Sequence, residues 1–223
     1  MNKKKLILFG KGLYTEIAYQ YFQEDSIYDV IAFCLDDEFI SESTYLGLPM
    51  VKFSEITEKY PPTNYSMHIA ISYTNLNKVR EIKYKEAKDR GYELISYVSS
   101  NSTIKSKIPI GENTFIFEDN TVQPFVKIGN NVILWSGNHI GHHSTIEDHN
   151  FISSHVVISG QCNIKSNCFI GVNSTIAHRV TIEEENIIGA GSVINKDTSK
   201  KEVYAPEKTK LISSDSSKIA KFL

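Results

Sequence analysis

Six of the seven histidines fall within forty residues: His139, His142, His143, His149, His155 and His178. Imidazole, with an unperturbed pKa of ~6.5, can take up and return a proton near neutral pH, and it is also a common metal ligand. The cluster therefore points to proton transfer or to metal binding. Spacing divides its members. His142 and His178 are thirty-six residues apart and share a register of eighteen with Pro124, Gly160 and Lys196. His155 shares a second such register with Asp119, Gly137, Asn173 and Gly191. The elements that hold these side chains must therefore repeat every eighteen residues.

A shorter period lies beneath that one. From Ile104 to Ile194 every sixth residue is Ile, Leu or Val, sixteen positions out of sixteen. With these types at roughly a quarter of residues, chance gives on the order of 10⁻¹⁰. Six residues do not match the helical period, so helices are excluded. The residue four places after each aliphatic, from Thr114 to Ser192, is small or medium and never charged. One large and one small inward position per hexad describe a short strand followed by a tight corner. Three such strands close a triangular coil, and coils stack by parallel pairing at ~4.8 Å. The histidines are then expected to point outward at or near corners, with His149 a solvated corner residue. Cys162 and Cys168 fall on the small inward column and read as buried apolar groups. Together with Cys34 they show no zinc spacing and no disulfide framework.

Residues 1–98 have a different rhythm. Lys5–Phe9 reads as a strand, followed by Gly10-Lys11-Gly12 and a helical stretch with Leu13, Ile17, Ala18 and Phe22. Further strands are expected at Tyr28–Cys34, His68–Ile71 and Tyr92–Val98, with a helix from about Asn75 to Arg90. Alternation of this kind implies a small parallel sheet of Rossmann type, with any ligand at the C-terminal strand ends. The glycine turn is either a phosphate cradle or a tight strand–helix connection. Fewer than 100 residues leave room for a single nucleotide, not a bound NAD.

The repeat over 104–199 closely resembles that of hexapeptide-repeat, left-handed β-helix acyltransferases. The domain order resembles bacterial sugar-nucleotide N-acetyltransferases and the sialic-acid O-acetyltransferase group. The resemblance implies a small α/β Rossmann-like domain (1–98), an all-β left-handed parallel β-helix (99–203) and a short tail (204–223) whose last turn, Ile219 to Leu223, caps the prism. It also implies a homotrimer with acetyl-CoA sites between subunits, and a role in making amino sugars for surface glycans. In that family the N-terminal domain holds the nucleotide, and Gly10, Gly12, Asp36 and Asp37 match those positions. Leu13-Tyr14 replaces the usual Gly-His, so a sugar or phosphate contact there falls to Tyr14. Tyr73, Asn77, Lys78 and Arg80 resemble the loop and helix start beside the nucleotide, where a helix N-terminus suits phosphate.

Acyl transfer from a thioester to an amine needs a base, because the attacking ammonium must lose a proton. The family motif matches at Ile140-Gly141-His142-His143, which implies His142 as that base, with His139 and His143 as alternatives. Asn138 lies beside the acceptor or fills the inward column as an asparagine ladder. The family's carboxylate after the catalytic histidine is replaced by His143, so the orienting acid is Glu147, Asp148 or absent. For the CoA arm the resemblance implies His155, Gly160, Ala177, Gly189, Gly191 and Lys196, with Lys200 or Lys201 able to meet the 3′-phosphate.

The net charge of −2, with 24 Lys plus Arg against 26 Asp plus Glu, gives no footprint for nucleic acid or a membrane surface. Leu6-Ile7-Leu8-Phe9 is too short for a signal h-region, and the expected location is cytoplasmic. Three alternatives remain. A hydroxyl acceptor needs a base in the same place as an amine. A zinc hydratase of the γ-carbonic-anhydrase type shares the β-helix, although the histidine pair five apart is missing. A trimeric nucleotide-sugar-binding protein would use none of the histidines.

Overall fold

The computed structural model describes residues 4–211, together with 214 and 220. The expected cap at Ile219, Phe222 and Leu223 lies outside the described residues. The chain begins with β1 (Lys4–Phe9), α1 (Leu13–Glu24) and β2 (Tyr28–Leu35). There follow β3 (Thr44–Tyr45), β4 (Leu48–Lys52), α2 (Ile56–Lys59), β5 (Ser66–Ile69) and α3 (Lys78–Asp89). The sheet order is β3-β4-β2-β1-β5, parallel except for the β3–β4 hairpin. That hairpin turns through Leu46 and Gly47, both at positive φ. α1 buries Tyr14, Ala18 and Phe22 on one stripe, the period of an amphipathic helix.

From Tyr97 onward the chain is a prism of two-residue strands on three faces. The first face runs from Tyr97–Val98 to Val203–Tyr204, the second from Thr103–Ile104 to Val193–Ile194, and the third from Lys127–Ile128 to Thr181–Ile182. Rungs pair in parallel at a spacing of eighteen, as in Ile133↔Phe151 and Ile140↔Ile158. The aliphatic column and the small column form one continuous interior, with Cys162 and Cys168 fully buried in it. Tyr97–Val98, expected in the small sheet, pairs instead with Phe115–Ile116 as the first rung. Leu94 bridges back to the small sheet at Met67. α3 begins three residues later than expected, because Asn75, Leu76 and Asn77 all take left-handed conformations.

The corners have a conformational cause. The third residue after each inward aliphatic has positive φ, from Asn113 (53°) and Asp119 (58°) through His143 (58°), His149 (61°) and His155 (57°). Asn, Asp, His and Gly tolerate this region best. Three of the clustered histidines thus sit where the fold favours their type for backbone reasons.

The N-terminal domain packs on the first face, whose outward residues are apolar: Phe115, Ile133, Phe151 and Phe169. On the third face the matching positions are Lys127, Thr145, Asn163 and Thr181. Phe22, Tyr21 and Tyr14 meet Phe115, and Phe117 stacks on Trp135. His68 is sealed inside this contact between Phe22 and Phe115. Its Nδ1 lies 2.8 Å from the Ile95 carbonyl and its Nε2 has no partner. Burial lowers its pKa to about 4. The unfolded chain therefore binds a proton that the native chain refuses between pH 6.5 and 4, and stability falls as pH drops through that window. The expected loss is roughly 3 kcal/mol. Denaturant melts at pH 7 and pH 4 should show it, and His68→Gln should flatten the difference.

Candidate active site

Two regions carry the candidate residues. The first lies at the C-terminal ends of β1, β2 and β5. Gly10 (φ 141°) is irreplaceable, since a Cβ there would lie 2.6 Å from the Ala70 carbonyl oxygen and 2.7 Å from Thr15 Oγ1. Gly12 (φ 125°) faces open space. Its N–H donates to Tyr45 Oη at 3.1 Å, and that phenol donates to Glu16 Oε1 at 2.7 Å. Asp36 is ion-paired with Lys83 at 2.7 Å, while Asp37 accepts from Ser54 Oγ at 2.7 Å. Lys78 lies 3.4 Å from Glu185, and Tyr73 sets its half-exposed ring against Phe151 and Phe169. Beside Tyr73 a hollow of about 380 Å³ opens between Leu76, Phe169 and Ile187. Tyr45, Glu16 and Lys83 are absent from the sequence reading. Their positions follow from the β3–β4 hairpin and from α3 crossing the strand ends.

Three expected nucleotide contacts are corrected. Arg80 is fully buried between the domains. Its Nε donates to Asn131 Oδ1 (3.2 Å), Nη2 to the Asn131 and Asn150 carbonyls (3.2 and 3.1 Å), and Nη1 to the Ile71 and Ser72 carbonyls. All five N–H groups are used, so none is left for phosphate. Asn77 is also buried, donating to the Cys168 carbonyl at 3.0 Å. Tyr14 lies in the interdomain core, where burial raises the pKa of its hydroxyl.

The second region is the edge between the second and third faces. His142 stands exposed there, its N–H donating to Gln123 Oε1 at 2.9 Å. Its Nε2 sits over Gly160 of the next coil, where a Cβ would lie 2.8 Å away. The His178 ring follows at 6.3 Å. His142 Nδ1 is 3.1 Å from His143 Nδ1, and the His143 ring rests on Phe125 at 4.6 Å. Ala177 and Lys196 continue this edge, whereas His139 projects half-buried from the second face. Gly160→Ala keeps an allowed backbone but displaces the imidazole tip. Stability is expected to change by less than ~1 kcal/mol, with kcat down about 10- to 100-fold.

Other candidates lie elsewhere. Asn138 is buried and committed, accepting from the Val156 N–H at 2.7 Å and donating to the Trp135 carbonyl, so it fills the inward ladder. His155, Gly189 and Gly191 occupy the edge between the first and second faces, with His155 over Gly137. Glu147 and Asp148 turn on the third edge, bonded to Lys165 and Asn130, and do not orient His142. His149 is buried there rather than solvated, against Tyr84 and 2.9 Å from Asn131 Nδ2. Among the described residues no group of three His, Cys, Asp or Glu is placed to hold a metal ion. No helix among them is long and apolar enough to cross a membrane.

In a triangular prism the His142 edge is opposite the face that carries the N-terminal domain. One chain therefore does not bring its own glycine turn to its own His142.

Comparison places this arrangement among known proteins. A family model described as bacterial transferase hexapeptide (six repeats) matches residues 107–142, 126–160 and 161–196. No curated protein matches the sequence. Among solved structures, the acetyltransferase domain of PglB from Neisseria gonorrhoeae superposes with a TM-score of 0.78 at 19% identity, covering 90% of this chain and 96% of that one. PerB from Caulobacter crescentus, solved with CoA and GDP-perosamine, gives 0.77 at 19% identity, covering 92% and 97%. WeeI from Acinetobacter baumannii gives 0.73 at 20%, covering 87% and 93%. This chain shares their fold: a Rossmann-like domain on a left-handed β-helix.

Proposed function

We propose that this chain, whose residues 107–196 carry the bacterial transferase hexapeptide repeat, transfers an acetyl group from acetyl-CoA to the amine of a nucleotide-linked amino-deoxy sugar. The observation that carries the reading is the exposed His142 imidazole, its Nε2 set over Gly160 on the edge between the second and third faces. Support comes from structures of the same fold, one in complex with acetyl coenzyme A and one with CoA and GDP-perosamine.

In this reading His142 Nε2 takes a proton from the sugar ammonium, and the freed lone pair attacks the thioester carbonyl carbon. The tetrahedral intermediate collapses with expulsion of the CoA thiolate, which takes the proton from the imidazolium. The second ammonium proton is released to solvent. Backbone N–H groups at the coil corners stabilise the oxyanion. Nucleotide phosphates lie over Gly12, with Asp36 and Asp37 toward base and ribose. Because His142 lies opposite its own N-terminal domain, the base of one chain serves the nucleotide of a neighbour in a homotrimer. The work is cytoplasmic, where acetyl-CoA is made, and the product enters surface glycans.

A thiol-release assay with acetyl-CoA tests the reading against UDP-, GDP- and dTDP-linked 3- and 4-amino-6-deoxy sugars. Turnover with one amine is expected. Turnover only with sugar hydroxyls would convert the reading to O-acetylation, and none with either would leave a binding protein.

A further inference from the structure

The two adjacent imidazoles of the edge carry a further assignment, which rests on His142 being the base. His142 Nδ1 and His143 Nδ1 are 3.1 Å apart. At that separation one nitrogen must carry the hydrogen and the other must present its lone pair. If His143 donated, His142 would hold its own proton on Nε2 and could not act as a base over Gly160. If His142 donates, Nε2 is bare and faces the site. We propose that His143 is a positioning residue that accepts the His142 Nδ1–H, fixing the tautomer in which Nε2 is the base.

The surroundings of His143 suit an acceptor held in place. Its backbone sits in the left-handed corner conformation (φ 58°), and its ring is fixed on Phe125. The corner thereby turns Nδ1 back toward the preceding residue. Along the same edge the His178 ring lies 6.3 Å from that of His142, Arg179 donates its Nε–H to Gln161 Oε1 in the neighbouring coil, and Lys196 follows in the same register. Glu147 and Asp148 are occupied on another edge. A neutral imidazole thus does the work for which a catalytic histidine elsewhere uses a carboxylate.

The test uses the full-length protein with ¹⁵N-labelled histidine at pH 8.5. The ring nitrogen shifts should report His142 as the Nδ1–H tautomer and His143 as the Nε2–H tautomer. In His143→Phe, His142 should revert to Nε2–H, and kcat should fall about 10-fold with KM unchanged. His143→Asn, whose Oδ1 accepts the same hydrogen, should recover most of kcat. An Nε2–H tautomer at His142 in the wild type, or a full kcat in His143→Phe, would overturn the assignment. The tautomers are read without turnover, so the result stands apart from the acetyltransferase reading. The acetyltransferase reading fails separately, by no thiol release with any amino sugar, and the choice of His142 as base fails by retained activity in His142→Ala.

Discussion

His142→Ala is expected to lower kcat by about 10²- to 10⁴-fold, the range that a positioned general base contributes. Stability and oligomeric state should not change. The side chain is exposed, and the contact its residue makes to Gln123 runs through the backbone N–H, which alanine keeps. Measuring kcat and KM beside a thermal melt separates chemistry from folding. A fall in kcat with unchanged KM for acetyl-CoA marks a transition-state role. Unchanged kcat would move the base to His139 or His143.

Arg80→Ala should be the most destabilising single change, at on the order of 3–5 kcal/mol. It removes a donor from five oxygens at the interface: the carbonyls of Ile71, Ser72 and Asn131 lose their Arg80 bond outright, while Asn131 Oδ1 keeps Asn113 Nδ2 and the Asn150 carbonyl keeps the Ile133 N–H. Burial lowers the guanidinium pKa to about 10, so it remains charged at neutral pH. Arg80→Lys should rescue little, since three donors cannot serve five acceptors. For a chain of this size the melting temperature should drop by about 10 °C. A raised KM for the nucleotide sugar with an unchanged melt would instead make Arg80 a ligand contact, as its sequence position suggests.

That contrast shows what a single sequence makes legible. The prism is readable because its period is local: each hexad repeats the same inward pair, and eighteen residues return the chain to the same face. The corner column was equally present in the spelling, as Asn113, Asp119, Asn131, Gly137 and His143 at one phase, and it explains why histidine is frequent here for backbone reasons. So was the covered face, marked by Phe115, Ile133, Phe151 and Phe169 where the third face carries Lys127, Thr145, Asn163 and Thr181. Arg80, Asn77 and His149 are different. Their partners lie 51, 91 and 18 residues away across or along an interface. Which helix lies over which corner depends on how two separately readable domains dock, and no local pattern encodes that register. The placement of His142 beside Gly160 was legible because the two are one coil apart in a fixed period.

In the proposed homotrimer His142 of one chain acts on a substrate held by the N-terminal domain of another. Co-expression of two inactive variants tests it most directly: His142→Ala, and Gly12→Asp, which sets a carboxylate where phosphates would lie. Each alone should be inactive in the thiol-release assay. Random mixing into trimers should restore about a quarter of wild-type activity, since half the sites keep the base and half of those face an intact nucleotide domain. A mixture as inactive as its components would place both halves of the site in one chain and contradict the account.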